Sequence, residues 1–169
     1  MVRTFRANQR PNLLFTSLID LYALPNDFPG KNECTRNPEN PRPYVESLER
    51  AFADDLGKTR FVSHIQLHEF ETLIFSEPES LQLSYEGIDA EVKNLQKITS
   101  DHVDIEMIND TPTGAPSRRI IQQIPRYEHD KTTVGPDVTE YIGMRTMMTA
   151  CQHFRDWIRL LTSRLLAGP

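Results

Sequence analysis

One histidine and two glutamates interrupt an apolar run in the segment LHEFETLIF, residues 67–75. Carboxylates are seldom buried unless a cation or a hydrogen-bond donor pairs with them. The oxygens of Glu69 and Glu71 are hard ligands that suit Mg²⁺ or Mn²⁺, and such an ion could activate water and stabilise charge on a phosphate. His68 lies between the strand and the acids and is a further candidate catalytic residue. The alternative is a solvated first helical turn, where acids suit the helix dipole.

A third acid, Asp20, ends the apolar run LLFTSLID at residues 13–20. A short run that is hydrophobic on both faces predicts a central strand of a parallel sheet. Helical spacing of apolar residues follows at 44–56, and strand-like alternation at 61–67, which together predict a βαβ unit. Because ligands collect at the carboxyl ends of parallel strands, we expect Asp20 and the acids after residue 67 to meet there. Taken alone, Asp20 fits equally well as a loop cap or an ion-pair partner.

The second half of the chain is predicted to be mainly helical. Residues at helical spacing occur in four segments: 76–85, 88–98, 117–124 and 151–166. The segment 127–141 contains Gly135-Pro136 and is predicted to be a loop followed by a short helix. We therefore predict one α/β domain, with a partial parallel sheet and flanking helices over residues 1–76 and a helical part of the same domain over 77–169.

Basic residues at the start of one predicted helix suggest an anion site. Ser117 is a candidate N-cap, and Arg118 and Arg119 follow it in the first turn. Exposed N–H groups at a helix N-terminus, together with guanidinium groups, could bind a phosphate of the substrate. The alternative is that these arginines pair with surface acids, in a chain whose formal net charge is −5.

Several other classes of protein are excluded by absent motifs. A zinc protease of the H-E-x-x-H type would need a second histidine where Thr72 stands, and neither a G-x-x-x-x-G-K-[ST] loop nor a G-x-S-x-G elbow occurs. Cys34 and Cys151 lack metal-ligand spacing. No apolar run approaches ~18 residues, and the basic N-terminus has no apolar stretch of a secretory signal, so we expect a cytoplasmic protein without a membrane span. The negative charge opposes general coating of nucleic acid but not its cleavage at an acidic metal site.

Four blocks of the chain resemble, in order, the signature blocks of a bacterial domain-of-unknown-function family, DUF4276: LIDLYALPNDFPG at 18–30, IQLHEFETLIF at 65–75, INDTPTGAPSRRI at 108–120 and CQHFRDWIRLL at 151–161. That family is grouped with the Toprim-like (topoisomerase–primase) proteins, which include nuclease domains of OLD-type (overcoming lysogenization defect) proteins and of phage-defence systems. The resemblance implies a Toprim-like α/β sheet whose acidic strand ends hold Mg²⁺, with Asp20, Glu69 and Glu71 as ligands. Further residues also match family blocks: His68, Asn109, Asp110, Ser117 and Arg118.

Two departures from the family pattern bear on the expected function. Toprim sites commonly carry Asp-x-Asp at the second acidic strand, and Tyr22 occupies the second position here. No E-G-x-x-E-like block precedes Leu13, so the resemblance implies a chain that starts late and lacks one glutamate and one strand. We expect an Mg²⁺-dependent nuclease, acting by phosphodiester hydrolysis in phage defence. The alternative is a non-catalytic remnant or interaction subunit, completed by a partner protein or by a homo-oligomer.

Overall fold

The computed structural model describes residues 13–37, 40–57, 60–109 and 113–167 of the chain. The basic N-terminal segment, residues 1–12, and the family-block residue Asp110 lie outside this part. The first unit consists of the residues up to Gln66 together with those from Asp156 onward, and the second unit is Leu67–Arg155. The prediction separates a sheet-containing part from a helical part between residues 76 and 77. The observed units are compact groups of residues instead, and the predicted boundary lies inside the second of them.

The first unit contains short strands that pair in parallel. Strand β1 (Phe15–Thr16) pairs with β3 (Phe61–Val62), and strand β2 (Ile19–Asp20) pairs with β4 (Ile65–Gln66). The predicted strands at 13–20 and 61–67 are therefore confirmed in position but are shorter, because each breaks in the middle.

The side chain of Ser17 accounts for the break in both strands. Its hydroxyl accepts a hydrogen bond from the backbone N–H of His64 at 3.1 Å and lies 3.3 Å from the carbonyl oxygen of the same residue. A side chain thus takes the place of one rung of the ladder. Main-chain bonds continue around it, from Ser17 N to Val62 O and from Ile19 N to His64 O, both at 3.3 Å.

Helix α1 (Arg42–Asp55) lies between β2 and β3 in the chain and confirms the predicted order of strand, loop, helix and strand. Its buried face carries Val45 and Leu48, both fully enclosed, and Phe52. The ring of Phe52 packs against that of Phe61 at 5.2 Å between centroids. Burial of this apolar stripe is the main reason why the helix forms, since isolated helices of this length are marginal in water.

All the regular secondary structure in the described part of the second unit is helical. Two 3₁₀ segments, Phe70–Ser76 and Pro78–Leu83, lead into α2 (Asp89–Ser100). Helix α3 (Pro116–Gln123) and helix α4 (Tyr127–Ala150) follow. The first turn of α5 (Gln152–Leu166) belongs to this unit, and the rest of that helix belongs to the first unit. The chain is thus a mixed α/β protein with a helical C-terminal half, as predicted.

The prediction of a loop at residues 127–141 is wrong. Helix α4 passes through Gly135-Pro136 and is interrupted only at Gly143, whose φ of 77° is not helical. A Cβ at Gly135 would lie 3.2 Å from Oη of Tyr127 and 3.4 Å from the ring of Phe70, so this glycine permits close packing. Gly135 and Pro136, which predict an interruption of the helix, are therefore both accommodated within it. None of the described helices combines the length and the hydropathy that crossing a membrane requires.

Candidate functional site

Asp20 is the last residue of β2 and lies in the first unit. The parallel register pairs its Cα with that of Gln66, the last residue of β4, so the carboxylate is attached at the carboxyl end of the strand pair. Asp20 is partly exposed, and its side chain makes no capping hydrogen bond to the 3₁₀ turn Leu21–Ala23 that follows. The side chain therefore does not cap this turn, and its roles as an ion-pair partner and as a metal ligand stay predictions.

Glu69 lies in the second unit, immediately before the 3₁₀ segment Phe70–Ser76. Its Oε2 accepts a hydrogen bond from the backbone N–H of Ser117 at 2.9 Å. Among the described residues no donor reaches the other oxygen, Oε1. The carboxylate is thus held in one orientation by a single backbone group, with one oxygen available to a ligand.

Glu71 is buried, with 7% of its surface exposed, so a solvated first turn is the wrong interpretation for this residue. Its Oε1 lies 3.4 Å from the phenolic oxygen of Tyr127, which is fully buried and donates the hydrogen bond. Burial, and then the negative charge of Glu71, raise the pKa of Tyr127 well above its ordinary value. Tyr127 therefore stays protonated and remains a donor to the carboxylate at all physiological pH values.

His68 stands between Leu67 and Glu69 in an unusual backbone conformation. Its φ is 67°, in the left-handed region that residues other than glycine seldom adopt, and its side chain is buried. Such conformations persist only where the surrounding structure imposes them, and they are common at functional sites. The chain bends at Leu67 and His68, just before the two glutamates.

The N-terminus of helix α3 differs in detail from the predicted anion site. Ala115 is the N-cap and Pro116 the first helical residue, so the prediction of Ser117 as N-cap is wrong. The backbone N–H of Ser117 donates to Glu69, which means that a carboxylate of the protein occupies the position expected for a phosphate. Arg118 is exposed and lies 3.9 Å from Glu128, whereas Arg119 donates from Nε to the carbonyl oxygen of Gly114 at 2.9 Å.

A second polar cluster lies in the first unit, around the fully buried imidazole of His64. The ring stacks on Trp157 at 4.4 Å between centroids, with 11° between the planes, and its Nε2 lies 3.3 Å from Oε1 of Gln66. The Nδ1 atom lies 3.6 Å from Oε1 of Glu49. Trp157 in turn donates from Nε1 to the hydroxyl of Thr16 at 2.8 Å. Imidazole and carboxylate are common metal ligands, so the pair His64–Glu49 is chemically able to bind a cation.

Two buried groups were missed by the sequence interpretation. Tyr127 lies in the segment predicted to be a loop, and Glu106 is not among the predicted site residues. Glu106 is fully buried, and its two carboxylate oxygens accept the backbone N–H groups of His153 at 2.8 Å and Phe154 at 3.1 Å, in the first turn of α5. An acid within an apolar run is the signal that drew attention to Glu69 and Glu71, and the same signal is present in IEMI at residues 105–108.

In the second unit the structure thus brings Glu69 together with Ser117, and Glu71 together with Tyr127, while Asp20 lies in the first unit. A sequence model of the family described as "Domain of unknown function (DUF4276)" matches residues 2–162 of 169. The chain belongs to this family. The membership inferred from four sequence blocks is therefore confirmed, and each candidate residue named above lies inside the region matched to DUF4276. Comparison with curated proteins gave no match, and comparison with solved structures gave none.

Proposed function

We propose that this DUF4276 chain is a metal-dependent nuclease with a Toprim-like sheet, which hydrolyses phosphodiester bonds of nucleic acid in phage defence. The observation that carries the proposal is the register of β2 and β4. Asp20 ends one parallel strand opposite Gln66, the last residue of its neighbour. In parallel α/β sheets this edge is where ligands bind, and a partly exposed carboxylate there suits a hard divalent cation.

The acids of the second unit have matching chemistry. Glu69 has one oxygen fixed by the N–H of Ser117 and the other without a donor among the described residues. A metal-ligating carboxylate typically has this arrangement, because a hydrogen bond to one oxygen orients the other. We assign Asp20, Glu69 and Glu71 as candidate ligands of Mg²⁺ or Mn²⁺. A cation bound to them would supply a Lewis acid and lower the pKa of a coordinated water.

The remaining candidate residues have subordinate roles in this proposal. His68, next to the ligands in sequence, is the candidate for proton transfer. Ser117 orients Glu69, and the exposed guanidinium of Arg118 is available to a phosphate at the cost of its ion pair with Glu128 only. Such an exposed pair at 3.9 Å contributes little stability and is readily exchanged. The Nε of Arg119 donates a hydrogen bond to the carbonyl oxygen of Gly114, so Arg119 supports the turn before helix α3.

A second function, that of a non-catalytic interaction subunit, is favoured by a different observation. Both glutamates have donors within the protein, the N–H of Ser117 for Glu69 and the hydroxyl of Tyr127 for Glu71. These bonds account for two acids within an apolar segment without any cation. The two functions differ in a measurable way, since only the first requires Asp20 to be ionised.

A cleavage assay distinguishes the two functions. Purified protein would be incubated with single- and double-stranded DNA and RNA, with Mg²⁺, with Mn²⁺ and with a chelator. We expect cleavage that requires the metal, that is abolished in Asp20→Asn and that persists in Asp137→Asn, a matched change at an exposed acid of helix α4. Absence of metal-dependent cleavage by the parent protein, or equal cleavage by both variants, would reject the nuclease and leave the interaction subunit.

A further inference from the structure

An imidazole and a carboxylate meet inside the first unit, where helix α1 lies beside the residues between β3 and β4. His64 is fully buried, and its Nδ1 lies 3.6 Å from Oε1 of Glu49 on α1. The side chain of Glu49 is 15% exposed, so the pair is close to solvent on one side. A hydrogen bond from nitrogen to oxygen is about 2.7–3.2 Å long, so the two atoms are further apart than a direct hydrogen bond requires.

The other ring nitrogen of His64 determines which tautomer faces the carboxylate. Its Nε2 lies 3.3 Å from the side-chain carbonyl oxygen of Gln66. A carbonyl oxygen only accepts, so Nε2 carries the proton in this contact, and Nδ1 of the neutral ring presents its lone pair. Two electron-rich atoms, Nδ1 of His64 and Oε1 of Glu49, then face each other. A cation between them would convert this repulsion into attraction, because neutral imidazole and carboxylate are both metal ligands.

Neighbouring groups orient both of these side chains. The backbone N–H of Ile65 donates to Oε1 of Glu49 at 2.7 Å. The ring of His64 stacks on Trp157 at 4.4 Å between centroids, and Trp157 is held in turn by its hydrogen bond to the hydroxyl of Thr16. Metal-ligating histidines and carboxylates typically have such outer contacts, which fix the tautomer and the direction of the ligand atom. Both ligand atoms are thus held in place by the protein itself.

The distance and the types of ligand select the class of cation. Two ligand atoms bound to zinc at about 2.0–2.2 Å and at a tetrahedral angle lie about 3.4 Å apart, close to the 3.6 Å between Nδ1 of His64 and Oε1 of Glu49. Imidazole suits zinc and other late transition metals, whereas Mg²⁺ and Mn²⁺ prefer oxygen ligands. The pair therefore favours a different cation from the hard ions proposed for the acidic residues.

We propose that His64 and Glu49 are two of the ligands of a structural metal site for Zn²⁺ or a similar transition-metal ion. The ion connects helix α1 to the chain between β3 and β4. Because the unfolded chain does not hold the two ligands together, metal binding stabilises the folded protein. The site is independent of the proposed nuclease activity, since neither residue is among the ligands assigned to Mg²⁺ or Mn²⁺.

Trp157 provides a local probe of this site, because it stacks on His64 and is the only tryptophan of the chain. The full chain would be titrated with Co²⁺, a paramagnetic substitute for Zn²⁺ that quenches the fluorescence of a nearby indole. Excess Mg²⁺ in the buffer would occupy any site made of oxygen ligands alone. We expect saturable quenching that is reversed when Zn²⁺ displaces the cobalt. Absence of saturable quenching, which is the result for an ion pair without a metal, would overturn the proposal.

Three variants locate the bound metal. Glu49→Gln keeps an acceptor for the N–H of Ile65 but loses the charge, and it should raise the dissociation constant for Co²⁺ by about tenfold or more. Glu46→Gln changes an exposed acid of the same helix and should leave this constant unchanged. His64→Phe keeps a ring to stack on Trp157 and should abolish the saturable quenching. If His64→Phe fails the circular-dichroism test for folding, the glutamate pair decides, and equal constants in Glu49→Gln and Glu46→Gln would overturn the proposal.

The structural role of the metal has a separate readout. Zn²⁺ should raise the unfolding temperature of the parent and of Glu46→Gln, and should raise that of Glu49→Gln by less, because only a metal bound to the folded state stabilises it. Hydrogen exchange in α1 and in the peptide around residues 61–66 should slow when Zn²⁺ is added. A bound metal that changes neither the unfolding temperature nor the exchange would contradict a structural role.

Discussion

Glu69 accepts a hydrogen bond from the backbone N–H of Ser117 at 2.9 Å, and the two residues are far apart in the sequence. The N-terminus of helix α3 is therefore neutralised by a carboxylate of the protein. The same bond orients Glu69 and leaves its Oε1 available to a cation. This one contact connects the acidic segment at residues 67–75 with the segment that contains Ser117. Both segments lie in blocks that resemble those of the family.

Replacement of Glu69 by alanine should destabilise the protein by about 1 kcal/mol, because an N–H group in the first turn of α3 loses its acceptor. Urea denaturation followed by circular dichroism measures this change. Arg118→Ala is the control, since its ion pair with Glu128 is exposed and should contribute no more than about 0.5 kcal/mol. Equal losses in the two variants would show that the bond between Glu69 and Ser117 does not stabilise the helix.

Glu106→Ala should cost more than Glu69→Ala, about 2 kcal/mol or more. Its fully buried carboxylate satisfies two backbone N–H groups in the first turn of α5, and both would be left without an acceptor in a site closed to water. Glu106→Gln keeps one acceptor oxygen but places its NH₂ group against the second N–H, so it should also destabilise the protein. Thermal unfolding of the variants measures the order, and a loss in Glu106→Ala no larger than the loss in Glu69→Ala would contradict the capping role.

Alkaline pH should destabilise the protein through two tyrosines. Burial, then the charge and hydrogen bond of Asp130, raise the pKa of Tyr85 to about 12, and the pKa of Tyr127 is raised further in the same direction. Each folded-state pKa lies above the unfolded value near 10, so the folded state keeps a proton that the unfolded chain releases. The stabilisation is complete below about pH 10 and falls as the pH rises through 12.

Absorbance at the tyrosinate band, recorded against pH, should show a late step near pH 12 that disappears in Tyr85→Phe. Urea denaturation of the parent should show a fall in stability above about pH 10, and the fall should be smaller in the variant. A titration in which the parent and Tyr85→Phe lose the same number of protons above pH 11, with equal stability profiles, would be inconsistent with this assignment.

Gly30 and Gly57 form a matched pair for testing close packing. Both have positive φ, 81° and 72°, so alanine should cost about 1 kcal/mol of backbone strain at either position. A Cβ at Gly30 would also lie 2.8 Å from Cβ of Ala51 in helix α1, whereas a Cβ at Gly57 would meet no atom of the described residues within 4 Å. Gly30→Ala should therefore lose about 1–3 kcal/mol more than Gly57→Ala in urea denaturation. Equal losses would mean that the loop moves away from α1 without cost.

The sequence predicted correctly the elements whose formation depends on residues that lie close together in the chain. The spacing of Val45, Leu48 and Phe52 predicted helix α1 because these residues make its buried face. Short apolar runs placed the strand pairs, although only the strands of the second run, Phe61–Val62 and Ile65–Gln66, are fully buried. The break within each strand was not predictable, because it depends on the hydroxyl of Ser17 meeting the backbone of His64 on a different strand.

The sequence indicated which acids are buried but not which groups they contact. An acid inside an apolar run marked Glu69 and Glu71, and the same pattern marks Glu106. Their partners lie 47 to 56 residues away in sequence, which no local pattern specifies. The helix through Gly135-Pro136 has a similar explanation, since the glycine is required by Phe70 on another segment and by Tyr127 at the start of the same helix.

Calorimetric titration with Mn²⁺ tests the central claim most directly, because it measures whether Asp20 and Glu69 bind the same divalent cation without requiring a known substrate. The parent protein would be compared with Asp20→Asn, with Glu69→Gln, which keeps an acceptor for the N–H of Ser117, and with the surface control Asp137→Asn. We predict one binding event in the parent and in the control, and affinity reduced by roughly tenfold or more in each of the other two folded variants. No binding by the parent, or unchanged affinity in Asp20→Asn and Glu69→Gln, would contradict the proposed metal site.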